Sequence, residues 1–313
     1  MRRLRIGTRG SPLARWQAES VAAAMGRAGG PTVELVPMRT SGDRLARKPI
    51  SGAGGKRLFV KEIEEALVDG RVDLAVHSAK DLPAERLAGL RVQAVLPRED
   101  ARDAVVAPRA HRRPASDPAA LFAPDPPPRI GTGSVRRTAQ LLHAYPHLDV
   151  APIRGNVGTR LRKLDAGGFD LLVLAAAGLV RLDLGARIAV RLPFDLCMPA
   201  PGQGIVCAEY RDGDEEVRGL LARIADRDAG AALETERALV TALGADCQVP
   251  LGALTTVAGD DLRARGVVAA PDGSRLVRHE AGGSIAAPAA LGAKVAAGLL
   301  AAGAGPLLEA ARA

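Results

Sequence analysis

Aromatic side chains are nearly absent, with four Phe, two Tyr and one Trp in 313 residues. So few rings leave little on which to stack the bases of a single-stranded nucleic acid. Cysteine is as scarce, at positions 197, 207 and 247. The three form no C-x-x-C pair, and an odd number speaks against a disulfide framework. Together with five His they show no metal-ligand spacing, so no metal is expected. Long apolar runs are missing too. The basic start Met1-Arg2-Arg3 is not followed by an apolar signal segment. The stretch 281–305 is apolar by count, but it is built largely of Ala and Gly and broken by Pro288 and Lys294, too weak to span a bilayer. These absences predict a reduced, soluble, cytoplasmic chain with no membrane partner.

What is present is an ordinary globular composition, 47% hydrophobic and 25% charged, in a length that suits two or three domains with a core in each. Net charge is +8, and only six of the 43 basic residues are Lys. The others are Arg, whose guanidinium meets carboxylate or phosphate in two-point contacts that ammonium cannot make. An anionic partner is permitted, of a kind the charge does not specify.

The chain repeats itself. Leu4-Arg5-Ile6 reads as a strand that turns through Gly7-Thr8-Arg9-Gly10-Ser11-Pro12 into a helix, with Ser11 as N-cap and Pro12 as its first residue. A second strand, Gly turn and helix start runs from Arg129 through Ile130-Gly131-Thr132-Gly133-Ser134 to Arg136-Arg137. Val60, Leu67, Gly70, Asp73, Leu74 and Val76 recur 97 residues on as Val157, Leu164, Gly167, Asp170, Leu171 and Val173. Each copy reads as a helix, a turn and an apolar strand (72–76 and 169–174). Alternating strands and helices imply parallel βαβ units, and two sets imply two similar lobes. The segments 98–103 and 199–204 read as crossings between them, and the Pro-rich stretch 108–128 as a surface insertion. Beyond about residue 220 a helix through Glu234 to Leu243, a hairpin from Val267 to Val277 and Ala-rich helices suggest a third, smaller α/β domain. The expected division is 1–99 with 201–217, then 103–197, then 222–313.

In open parallel sheets ligands bind beyond the carboxyl ends of the strands. Those ends carry Arg9 and Ser11, Asp43, Ser78-Ala79-Lys80-Asp81, Thr132 and Ser134 with Arg136 and Arg137, and Arg154 with Arg160. Gly, hydroxyls, helix starts and Arg are the equipment of an anion site, and their number suggests several carboxylates at once. A single Arg on a helix's first turn is ordinarily a solvated residue; so many at strand ends are not. Asp81 could stabilise a developing cation or move a proton, or serve as a helix cap or a partner to Lys80. Asp43 suits turn chemistry, and His77 suits a structural hydrogen bond. Cys247, past a helix end, could be a soft nucleophile or an inert thiol; Cys197 and Cys207 read as core.

These segments, in order, resemble the porphobilinogen deaminase (hydroxymethylbilane synthase) family. The matching stretches are IGTRGSPLARWQA, GGKRLFVKEIEEAL, DLAVHSAKDLP, REDARDAVV, IGTGSVRRTAQL, IRGNVGTRLRKLD, PAPGQG and ERALVTAL followed by CQVPLG, and they span nearly the whole chain. The resemblance implies an α/β fold of two periplasmic-binding-protein-like lobes with mixed, mainly parallel sheets, plus a smaller C-terminal α/β domain beside the cleft. It implies a transferase that condenses four porphobilinogen molecules head to tail into a linear oligopyrrole with loss of four ammonia. The implied cofactor is dipyrromethane, held by a thioether to Cys247. Asp81 falls on the family's carboxylate that binds pyrrole N–H groups and stabilises the cation left as ammonia departs. Cofactor and substrate carboxylates would be held by Arg9, Ser11, Ser78, Lys80, Thr132, Ser134, Arg136, Arg137, Arg154, Arg160 and Arg181, with Gln203 near the lobe crossing. Lys56 and Phe59 match a loop over the cleft, and Asp43 a position near the same site. A monomer is implied.

Three features depart from the family's pattern. Ala245-Asp246 stands where Gly-Gly usually precedes the cofactor Cys, Arg57 replaces a loop Gly, and 108–128 is longer and richer in Pro. Two rival readings remain. A non-catalytic anion binder on the same scaffold would need neither Asp81 nor Cys247. A nucleic-acid binder would place Arg along a continuous outer face, whereas the strand-end Arg point to a cleft.

Overall fold

The computed structural model describes residues 3–41, 60–83, 85, 87–111, 117–245 and 249–311. Asp43, Lys56, Arg57, Phe59, Asp246 and Cys247 therefore lie outside the described residues. The first part runs β1 (Leu4–Arg9), α1 (Pro12–Arg27), β2 (Val33–Met38), α2 (Lys61–Val68), β3 (Leu74–Ser78) and β4 (Leu90–Ala94). The second runs β5 (Asp103–Val106), α3 (Pro118–Phe122), β6 (Arg129–Thr132), α4 (Val135–Ala144), β7 (Asp149–Pro152), α5 (Val157–Asp165), β8 (Leu171–Ala175), α6 (Ala176–Arg181) and β9 (Ile188–Arg191). The chain then returns as β10 (Val206–Arg211) and α7 (Glu215–Ala222). It ends with α8 (Arg227–Ala242), β11 (Leu251–Ala258), β12 (Asp261–Ala269), β13 (Leu276–Ser284), α9 (Pro288–Ala301) and α10 (Gly305–Ala310).

Two five-stranded sheets result, ordered β2-β1-β3-β10-β4 and β7-β6-β8-β5-β9. In the first, β1 pairs in parallel with β2 and β3, while β10 is antiparallel to both β3 and β4. In the second, β6 is parallel to β7 and β8, and β5 is antiparallel to β8 and β9. Four strands of each sheet thus share a direction. The reversed one is the strand that enters directly from the other lobe, β5 after 95–102 and β10 after 192–205.

Both faces of the first sheet are covered. Leu4, Ile6, Leu74 and Val76 pack with Val21 and Met25 of α1 and Val217 of α7. Ala75 on the other face packs with Ile63 and Leu67 of α2. Two covered faces explain why β3 reads as an apolar run rather than an alternating one, and each large side chain so buried stabilises the fold by roughly 1.5–3 kcal/mol. The internal repeat has a local cause. The Asp73 carboxylate accepts the Arg5 backbone N–H at 2.8 Å, and Asp170 accepts that of Arg129 at 2.7 Å. Gly70 and Gly167 both turn with positive φ, 68° and 80°, a region open to Gly at no steric cost.

Three expectations shift. The C-terminal hairpin is longer, pairing β12 with β13 from Asp261↔Ser284 to Ala269↔Leu276; β13 alternates covered and exposed positions, with Val277 buried, because α8 and α9 cover one face of that sheet. Helix α8 begins seven residues earlier than Glu234, because Asp226 accepts the Ala229 N–H at 2.7 Å and caps it. The Pro-rich stretch is not all surface. Phe122 is fully buried, and its ring meets Tyr145 edge-on at 5.1 Å, pinning α3 to the second core.

Candidate active site

The crossings bring the carboxyl ends of β1 and β3 to face those of β6 and β8. Ser11 caps α1, accepting the Ala14 N–H at 3.3 Å, and Pro12 follows as expected. Across from it the end of β3 stops in a single 3-10 turn, Ala79–Asp81, before Pro83. Arg9, Ser11, Gln17, His77, Ser78 and Asp81 line one small cavity of about 50 Å³. Gln17 Nε2 donates to Ser78 Oγ at 2.8 Å, and Arg9 Nη1 stands 3.9 Å from Asp81 Oδ2. The Asp81 side chain keeps 39% of its exposure, so it is an accessible carboxylate beside a cation.

In the second lobe Thr132 is buried at the end of β6, its Oγ1 accepting the Ser134 N–H at 3.4 Å. Ser134 caps α4 by accepting from the Arg137 N–H. Arg136 and Arg137 sit on that first turn and point inward, 4% and 5% exposed. Both grip Asp103, the first residue of β5. Arg136 Nη1 donates to Oδ2 at 2.7 Å, and Arg137 donates to Oδ1 from Nε at 3.0 Å and Nη2 at 2.7 Å. Arg136 also donates to the Met198 carbonyl at 2.5 Å and Arg137 to that of Val173 at 3.1 Å. Burial opposes ionisation of Asp103, but the two guanidiniums prevail and hold its carboxyl far below the ordinary range. Cys197 donates to the same carboxylate at 3.3 Å, and burial together with that charge pushes its thiol up to about 12.

The remaining cations differ in how they are held. Lys80 Nζ donates to Gln203 Oε1 at 3.2 Å. Burial, then the nearby Arg137, lowers its pKa to about 8. Arg160 Nε donates to the Gly155 carbonyl at 2.7 Å, and burial with Arg137 lowers it to about 10. Arg154 is half-buried, and its guanidinium makes no hydrogen bond or ion pair with the described residues. Arg181 is set apart. It donates to the Gly204 carbonyl at 2.7 Å and lies 5.5 Å over Trp16, lining a second cavity of about 330 Å³ with Glu99 and Arg27.

Sequence reasoning passed over Asp103 as part of a crossing. The signal was there: an acid at the head of a wholly apolar strand needs a buried counter-charge, and two adjacent Arg opened a nearby helix. It also missed the clasp at the third domain. Arg98 donates to both Glu236 carboxylate oxygens at 2.7 and 3.2 Å, and Glu236 accepts the backbone N–H groups of Gly202 and Thr255. Helix α8 then ends at Ala242, four residues before position 246. Gly244, at φ 57°, lets its own N–H reach the Thr241 carbonyl and that of Ala245 reach Val240, the Schellman pattern. Ala245 is buried in the third core beside Leu239 and Leu243, so the residue that replaces a family Gly fills space there. His77 is buried, but the hydrogen bond expected of it is not made at Nε2, which lies 3.2 Å from Glu209 Oε2 without hydrogen-bond geometry.

Fold and site define a two-lobed α/β protein whose cleft gathers cations around one accessible carboxylate. Two family models match: "Porphobilinogen deaminase, dipyromethane cofactor binding domain" over residues 4–219 and "Porphobilinogen deaminase, C-terminal domain" over 231–301. The chain belongs to the porphobilinogen deaminase family. A porphobilinogen deaminase of Acidithiobacillus ferrooxidans is 49% identical over 310 residues, 98% of this chain and 97% of that one. Those of Syntrophotalea carbinolica and Bordetella parapertussis are 47% and 46% identical, each over 98% of this chain and 95% of the relative. Among solved structures, the periplasmic aliphatic sulphonate binding protein SsuA from Escherichia coli is 16% identical, with 76% of this chain and 70% of that chain covered and a TM-score of 0.40.

Proposed function

We propose that this chain is a hydroxymethylbilane synthase, which joins four porphobilinogen molecules head to tail on a covalent dipyrromethane primer at Cys247, releases four ammonia and frees the tetrapyrrole by hydrolysis. The observation that carries this reading is the crowding of cations around Asp81. Lys80 and Arg160 both lie below their ordinary pKa values, depressed first by burial and next by Arg137. A site in which cations depress one another is relieved by an anion, and a group bearing several carboxylates fits it. The family relationship supports the same reading and does not favour a non-catalytic anion binder.

When bound, the dipyrromethane supplies a pyrrole end to which each new ring is joined. Lys80, Arg154 and Arg160 would hold carboxylates of cofactor and chain, with Thr132 and Ser134 as neutral donors. Arg9, Ser11 and Ser78 would orient the incoming ring at Asp81. The Asp81 carboxylate accepts the pyrrole N–H and stabilises the positive charge on the substrate as ammonia leaves, a role worth ~10²–10⁴ in rate for a positioned acid–base group. Arg136 and Arg137 act from behind, lending positive potential while bonded to Asp103. Arg181 from the end of α6 and Gln203 from the lobe crossing complete the set, with Asp43, Lys56 and Phe59 from the 42–59 segment.

The organisation proposed is a first lobe of 1–99 with 201–217, a second of 103–197 and a cofactor-bearing domain of 222–313. The substrates are porphobilinogen and its linear oligomers, and the working form is a cytoplasmic monomer. Among the described residues no helix is long and apolar enough to cross a membrane, and buried Arg136, Arg137, Arg181 and Arg187 are withheld from any nucleic-acid surface. Intact-mass spectrometry with peptide mapping tests the reading: two linked pyrrole units are expected on Cys247 and none in Cys247→Ser. A parent chain left unmodified after incubation with porphobilinogen would overturn it.

A further inference from the structure

The cations of the two lobes are not held independently. Gln203 is fully buried, and its amide is spent on both sides. Nε2 donates to the Ala101 carbonyl at 2.7 Å and to Asp103 Oδ1 at 2.9 Å, while Oε1 accepts from Lys80 Nζ at 3.2 Å. The orientation of the amide is forced. Reversed, it would set NH₂ against an ammonium and an oxygen against two acceptors. One side chain therefore links the ammonium of the first lobe to the carboxylate that both guanidiniums of the second lobe grip.

The backbone around it is built for close approach. Gly202 and Gly204 have φ of +75° and +87°. A Cβ on Gly202 would come within 3.0–3.1 Å of Ala79 and the Lys80 nitrogen, and one on Gly204 within 2.3 Å of the Glu99 carbonyl. Gly202 lets the segment press against the Lys80 turn, and Gly204 lets it press against the 98–99 backbone. The Gln203 carbonyl is also fixed, accepting from Arg98 Nε at 2.9 Å.

We propose that Gln203 is a positioning residue for Lys80, with Asp103 as its anchor, setting the spacing between the ammonium of the first lobe and the guanidinium pair of the second across the cleft floor. The proposal rests on the reading above in that Lys80 receives a carboxylate of the polypyrrole. Lys80 faces Asp81 on its own turn, Asp103 from β5, and Arg136 and Arg137 from α4. With two charges of each sign around it, burial decides its protonation, and the Gln203 oxygen bonds only the protonated form. A packing role for Gln203 would be served by any side chain of its volume; a positioning role needs the amide.

Gln203→Met keeps the volume and removes the amide. Trace acetylation with acetic anhydride at pH 6 to 10, quantified by peptide mass spectrometry against exposed Lys294, reads the titration of Lys80 without any turnover. The expected midpoint is near 8 in the parent and about one pH unit lower in Gln203→Met, a tenfold change in proton affinity. Gln203→Glu, which sets a carboxylate beside Lys80, should move the midpoint upward. In steady state Gln203→Met should raise KM about tenfold with a smaller change in kcat, the mark of lost ground-state binding. An unmoved Lys80 midpoint in both variants, or a fall in kcat at unchanged KM, would overturn the proposal. Absence of porphobilinogen turnover in the parent would instead count against the function proposed above and leave the labelling result standing.

Discussion

At the end of β3 the chain reads Ser78-Ala79-Lys80-Asp81; at the matching end of β8 it reads Ala175-Ala176-Ala177-Gly178. The frames are the same, with equivalent parallel pairings and equivalent Asp73 and Asp170 clamps. The first lobe stops in a 3-10 turn and presents an acid and an ammonium. The second continues into α6, and its charges come from α4 and α5 as guanidiniums. The inserted antiparallel strands differ likewise: β5 opens on Asp103, fully buried between Arg136 and Arg137, whereas β10 carries Glu209, paired with Ala75 and reaching within 3.2 Å of His77 Nε2. A repeated fold thus provides two equivalent ledges, and side-chain chemistry gives the first the reactive group and the second the anion grip.

The comparison breaks most sharply at Asp81. Asp81→Ala should lower porphobilinogen consumption by about 10²–10⁴ and leave far-UV circular dichroism and unfolding unchanged, since the carboxylate is accessible and its contact with Arg9 is long. Turnover near the parent value would mean that the first ledge is not the reactive one. Asp103→Asn addresses the other lobe. It leaves two buried guanidiniums short of their counter-charge, so a loss of about 3–5 kcal/mol is expected in denaturant unfolding. The sign with pH follows from the depressed carboxyl. The Asp103 contribution is complete above the ordinary carboxylate range near pH 4 and is lost as pH falls below it, a loss the Asn variant should not show.

Lys80 sharpens the contrast through pH. Its folded pKa of about 8 lies below the ordinary 10.5. Between those values the unfolded chain binds more protons, so this group adds stability as pH rises, while its hold on a carboxylate weakens. KM should therefore rise above pH 8, and Lys80→Arg, which stays charged, should flatten that limb; an unchanged limb would place the titration elsewhere. The smallest stability effect is expected for Arg154→Gln, within about 0.5 kcal/mol, because its guanidinium has no partner among the described residues. Its KM should still rise severalfold. Arg137→Gln should lose both stability and binding, and the split between these two Arg measures how far anchoring and ligand holding are separate.

Much of this was legible in residue order. The cap at Ser11, the Gly turns and the repeat that pairs Leu74 with Leu171 are local or periodic features. The motifs bearing Asp81 and Lys80 stood at strand ends, where an α/β sheet places its ligands. The start of α8 was legible too in principle, since Asp226 is an ordinary capping residue. The burial of Phe122 was not, because Pro-rich neighbours mask a single anchor whose partners Tyr145 and His147 lie more than twenty residues away.

Local propensity, capping and hydrophobic period act over a few residues, so residue order alone specifies the strands and helices, the two repeated frames and the side chains able to carry the chemistry. Which of those charges are spent is settled by contacts between distant segments of the folded chain. Arg136 and Arg137 look alike with Arg154 and Arg160 in a list of basic residues. Folding sets the first two against Asp103, more than thirty residues away, and Gln203 against both that carboxylate and Lys80. A buried charge needs a partner wherever the chain can supply one, and that partner is chosen in space rather than along the sequence.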